Sequence, residues 1–64
     1  MGDDLADKIR DEGVEYAATN WIADSAPVRT AQLEYLRARR ALLEVCGLRA
    51  DGADRVIRRL EAGQ

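Results

Sequence analysis

An all-α fold is predicted by three features of this 64-residue chain. Apolar residues recur in steps of three and four, a proline follows a short polar break, and glycines close the apolar runs. Together they predict an antiparallel helical hairpin, with helices over about 4–23 and 27–46, followed by a short third helix over about 52–62. One small helical domain over 1–64 holds all three.

The first helix opens with Asp3 or Asp4 as N-cap, and acids crowd its first turns, where they suit the helix dipole. Leu5, Ile9, Gly13, Val14, Tyr16, Ala17, Ala18 and Trp21 share one broad face; Asp4, Lys8, Asp11, Glu15 and Thr19 share the other. Gly13 lies inside the apolar face, where it either admits another helix closely or weakens its own. Asp24-Ser25-Ala26-Pro27 is the break. Pro27 pushes Ala26 from helical dihedrals yet suits the first turn of a new helix. So short a connection folds the two helices antiparallel.

The second helix closes at Gly47, expected as a left-handed C-cap, with Leu48 packing back. Val28, Ala31, Tyr35, Ala38, Leu42 and Val45 form a heptad seam, and Leu36 with Leu43 a second apolar edge. Gln32 and Arg39 fall between these edges. Arg39 is expected to lay its stem on apolar surface and send its head outward or to an acid on the first helix. In the third helix, Asp51 is the expected N-cap, with Asp54 completing a box-like arrangement. Ala53, Val56, Ile57 and Leu60 face inward, and Asp51–Arg55 and Asp54–Arg58 are spaced for helical ion pairs.

Charge is sorted along the chain. Residues 1–24 hold seven acids against Lys8 and Arg10, whereas residues 25–64 hold eight arginines against five acids. One segment can therefore attract the other, or each can attract a different partner. An antiparallel docking of the first two helices puts Glu12 or Glu15 near Arg37 or Arg39.

Composition narrows the function. Alanine accounts for 11 residues and Phe is absent, so the core is thin, and small domains with thin cores gain stability by oligomerising or binding. The chain has no histidine and one cysteine, so a zinc or iron–sulfur site from this chain alone is not expected, nor is a disulfide framework. Cys46 is expected to be a small buried hydrophobe. The acidic stripe Asp4, Asp7, Asp11 and Glu15 is read as a solvated face, because a regular helix spreads its carboxylates too far apart for a calcium loop. No cofactor and no small-molecule substrate are expected, and without a histidine base or a glycine-rich phosphate loop, no catalysis. No apolar run reaches the roughly 18 residues of a membrane span; a cytoplasmic location is expected.

Two resemblances accompany these patterns. Tyr16-Ala17-Ala18, Trp21-Ile22, Asp24-Ser25-Ala26, Ala31, Glu34-Tyr35-Leu36 and Ala41-Leu42 resemble small helical-hairpin proteins encoded by bacteriophages, which implies an accessory role without catalytic residues. Leu42-Leu43, Gly47-Leu48, Gly52 and Arg59-Leu60 resemble the SAP-type DNA-binding helix–turn–helix. The spacing is one residue short, and Asp54 stands where that family carries lysine.

The expected function is that of a non-enzymatic protein-binding module, with self-association as a homodimer. Its interface candidates are Trp21, Val28, Tyr35, Arg39, Leu42 and Val45. The alternative is a small DNA-binding module using Arg37, Arg40, Arg55, Arg58 and Arg59. Against it stand the net charge of −2 and several nearby acids, Glu44 for Arg40 and Asp54 for Arg58. No aromatic residues are interleaved with those arginines to stack on bases.

Overall fold

The computed structural model describes residues 4–63, apart from the side chain of Asp51. The expectation of Asp3 as an N-cap lies outside these described residues. The fold is all-α, with four helices: α1 (Asp4–Glu12), α2 (Val14–Asn20), α3 (Ala26–Val45) and α4 (Asp51–Ala62).

The helix expected over 4–23 is two helices. At Gly13 the backbone takes φ 91° and ψ 154°, a region that essentially only glycine occupies. The interruption is one residue long, because Gly13 N–H still donates to Ile9 O at 2.9 Å and Ala17 N–H to Gly13 O at 3.1 Å. α2 also stops three residues before Ala23. Its last turn carries Thr19 and Asn20, whose side chains donate to Glu15 O and Tyr16 O, each at 2.8 Å. Trp21 then turns extended, at φ −126° and ψ 155°.

α3 begins beside Pro27, with Ser25 as an extended N-cap residue. Its end is a Schellman motif: Gly47, at φ 74°, donates to Glu44 O at 3.0 Å, and Leu48 N–H to Leu43 O at 2.8 Å. Leu48, however, does not pack back; 59% of its surface stays exposed. Cys46, expected to be buried, is exposed as well, because it sits on the C-cap where α3 has outrun the core. At the start of α4 the N-cap is Ala50, not Asp51. Asp54 N–H donates to Ala50 O at 3.0 Å, which makes Asp51 the first helical residue.

Two apolar clusters hold these helices. The larger joins Ala18 of α2, Leu33 and Leu36 of α3, and Ala53, Val56, Ile57 and Leu60 of α4. The smaller joins Leu5 and Ile9 of α1 to Ala17, Ala23 and Val28. α4, expected as a short addition, thus supplies four of the seven buried members of the main cluster. Its inward residues are those the spacing predicts. α3 uses its second apolar edge, with Leu36 fully buried, and turns much of the Val28–Val45 seam away from the core. Among the described residues no helix is long and apolar enough to cross a membrane.

Candidate interaction site

The seam of α3 runs along two apolar grooves. The first, about 150 Å³, lies where α3 meets α1 and α2 and is walled by Leu5, Ile9, Val14, Val28, Ala31 and Tyr35. The second, about 440 Å³, is lined by Glu15, Tyr35, Ala38, Arg39, Leu42 and Leu43. Tyr35 is the wall common to both. Beyond the second groove the seam continues into open apolar surface: Leu42 is 66% exposed and Val45 86%.

A polar network fixes that shared wall. The Tyr35 hydroxyl donates to Glu15 Oε2 at 2.5 Å, and Arg39 Nε donates to Glu15 Oε1 at 2.5 Å. The Tyr35 hydroxyl, and after it the Arg39 guanidinium, hold the Glu15 carboxyl below its ordinary value of 4.5. The same carboxylate, together with burial, raises Tyr35 above its ordinary 10.0. Charge-assisted bonds of this kind shorten and orient both partners. Arg39 lines the second groove while its head reaches Glu15, one of the two acids the charge sorting suggests. Its Nη1 is buried with no hydrogen-bond partner among the described residues. A buried donor left unpaired costs about 1–3 kcal/mol, which offsets part of what the Glu15 pair contributes.

Of the interface candidates, the structure brings Val28, Tyr35, Arg39 and Leu42 together along the grooves, with Val45 on the exposed extension. Trp21 is elsewhere. It follows the end of α2, where the Lys8 ammonium sits 4.4 Å from its ring centroid, and it lines neither groove.

The arginine candidates divide. Arg37 Nη2 bonds Glu61 Oε2 at 2.6 Å, and Arg40 Nη1 approaches Asp54 Oδ1 at 3.5 Å. Asp54 therefore serves Arg40 rather than Arg58, and Glu44 does not pair with Arg40. The expected Asp51–Arg55 pair lies outside the described residues. Arg29 is half-buried and donates to Asp24 O at 2.8 Å. Arg55, Arg58 and Arg59 share the solvent face of α4 around a shallow hollow of about 480 Å³, and none forms an ion pair among the described residues.

The acidic stripe is broken by the Gly13 turn. Asp7 lies 3.6 Å from Arg10, and Glu15 is committed to Tyr35 and Arg39. Among the described residues no three metal-ligating side chains converge.

Sequence reasoning missed Gln32 as an organiser. Its side-chain oxygen accepts from Ala23 N–H at 3.1 Å, and its Nε2 donates to Ala18 O at 3.1 Å and Trp21 O at 2.5 Å. It thereby ties α3 to the end of α2 and the turn after it, and it lines the first groove. The signal was present: a polar residue between two apolar edges must satisfy its amide when buried. Leu33, one residue on, was missed for another reason. It lies off the heptad positions and faces α4.

Compared with known proteins, the chain matches no family model, no curated protein and no solved structure.

Proposed function

We propose that this chain is a non-enzymatic protein-binding module, of the small phage-type accessory kind, that acts through the apolar face of α3. The observation that carries this reading is the exposed apolar surface on the C-terminal part of α3, where Leu42, Val45 and, past the cap, Leu48 are all more than half exposed. An unpaired apolar surface beside an apolar groove is the kind of surface that marks a protein–protein contact. An amphipathic helix laid along the groove would seat its apolar side chains at Tyr35, Ala38 and Leu42. For the isolated chain that helix is α3 of a second copy, in a homodimer that thickens a core in which four of the ten buried apolar residues are alanines.

Dilution followed by two-dimensional NMR tests the contact. At about 1 M salt, where exposed charge contacts are screened, the amides of Ala38, Leu42, Val45 and Leu48 are expected to shift with concentration, while those of Ala53–Leu60 stay still. Spectra that do not change with concentration, or changes spread evenly over all helices, would contradict it.

The second reading, a DNA-binding module, is favoured by one observation: Arg55, Arg58 and Arg59 form no ion pair among the described residues. Arg37 and Arg40 are drawn away by Glu61 and Asp54. α4 has no Asn or Gln beside these arginines to read adenine, so this face could contact phosphates but has little with which to choose a sequence.

A further inference from the structure

We infer that α1 and α4 are complementary docking faces, and that the solvent arginines of α4, Arg55, Arg58 and Arg59, take the acidic end of α1, Asp11 and Glu12, of a second copy of this chain. This contact is distinct from the α3 groove and does not rest on it.

Both faces carry a local electrostatic cost. Arg58 and Arg59 stand three and four residues after Arg55 on one exposed face, and like charges at those spacings destabilise a helix. Asp11 and Glu12 occupy the last turn of α1, the negative end of the helix dipole, where acids are disfavoured. Lys8, three and four residues before Asp11 and Glu12, is turned to the Trp21 ring instead. Among the described residues no ion pair reaches Asp11, Glu12, Arg55, Arg58 or Arg59, and Asp54, at the rim of the arginine hollow, is turned to Arg40.

The two faces are also kept apart within one molecule. The buried residue of α1 belongs to the smaller apolar cluster and every buried residue of α4 to the larger, so their charges cannot be quenched by direct packing. Opposite charge is therefore met between molecules. Each copy presents one face of either sign, and a two-fold pair makes the contact twice. A second copy is the occupant chosen because one chain supplies both signs, Asp11 and Glu12 on α1 and Arg55, Arg58 and Arg59 on α4, all exposed.

Charge exchange tests this in the Leu42→Asp background, which removes the apolar contact. At about 10 mM salt, where the Debye length is about 30 Å, the mass by sedimentation equilibrium should rise above the 7.1 kDa of the monomer toward twice that value. It should return to the monomer at about 1 M salt, where the Debye length is about 3 Å. Asp11→Lys with Glu12→Lys, and separately Arg55→Glu with Arg58→Glu and Arg59→Glu, should each weaken association at least about tenfold. Mixing the two variants should restore it, because each then meets the opposite charge. Helicity of each variant is checked by circular dichroism. Should either multiple variant lose it, Glu12→Lys and Arg58→Glu, mixed in the same way, give the same readout with less perturbation.

A 7.1 kDa mass at low salt, association unchanged by the reversals, or a mixture no heavier than its components would each overturn the inference. So would a chain that stays monomeric yet binds random-sequence duplex DNA through Arg55, Arg58 and Arg59.

Discussion

Arg39 Nε donates to Glu15 Oε1 at 2.5 Å and so joins the acidic N-terminal segment to the arginine-rich remainder of the chain. The pair also holds Tyr35, the residue that walls both grooves, through the second oxygen of the same carboxylate. Charge sorting in the sequence therefore acts at one place on the groove geometry, and leaves other charges facing solvent.

The Glu15–Tyr35 bond gives stability a pH signature. The Glu15 carboxyl is depressed, so its contribution is full above about the ordinary 4.5 and is lost as pH falls through the folded value. The Tyr35 hydroxyl is raised, so its contribution is full below the ordinary 10.0 and is lost as pH rises through the folded value. Tyr35→Phe should flatten both limbs of a melting-temperature profile and move the Glu15 carboxyl, followed by carbon NMR titration, upward toward 4.5. Glu15 is more than half exposed, so the effect on stability stays under about 1 kcal/mol. A Glu15 titration unmoved by Tyr35→Phe would show that the hydroxyl does not hold the carboxylate.

Gln32 should be far more costly to lose. Gln32→Leu keeps most of the volume but strands Ala23 N–H, Ala18 O and Trp21 O in a region where Gln32 itself is 4% exposed. At about 1–3 kcal/mol for an unsatisfied buried group, a loss of about 2–4 kcal/mol is expected in urea unfolding. Neutral behaviour of Gln32→Leu would mean that these backbone groups find other partners.

Gly13→Ala tests why α1 and α2 are separate. Nothing lies within 4 Å of a Cβ placed there, so the penalty is conformational rather than steric. A φ of 91° should cost a non-glycine residue about 1–3 kcal/mol. Increased helicity and a higher melting temperature in Gly13→Ala would instead indicate that one continuous helix over 4–23 is the better structure.

Periodicity and punctuation made the helical class legible, along with the break before Pro27, the glycine cap at Gly47 and the inward face of α4. Each is written locally, in residues within about one turn of the feature they specify. Other features are decided by tertiary packing, which no local pattern records. The heptad seam from Val28 to Val45 suggests one apolar face, yet the α4 cluster takes in Leu33 and Leu36; of the seam only Val28 and Tyr35 pack at the edge of the clusters, and the rest lines grooves and solvent. The same displacement exposes Cys46 and Leu48, whose apolar character alone suggested burial. Gly13 carried both readings, close approach or local weakening, until its dihedrals were known. Trp21 looked like an interface residue by type, but its position after α2 places it under Lys8, away from the seam.

The central claim is that the apolar face of α3 binds protein, in the isolated chain a second copy of itself. Sedimentation equilibrium at about 1 M salt tests it most directly, because exposed charge contacts are screened there while apolar burial is not weakened. A species heavier than 7.1 kDa is expected at micromolar concentration. Leu42→Asp should weaken it about a hundredfold or more, since a two-fold contact loses about 1.5–3 kcal/mol of burial in each copy. The helicity of the monomer should be unchanged, because Leu42 is exposed within it. A wild-type chain that sediments only as 7.1 kDa at high salt, or a Leu42→Asp chain that associates as well as the parent, would contradict the account.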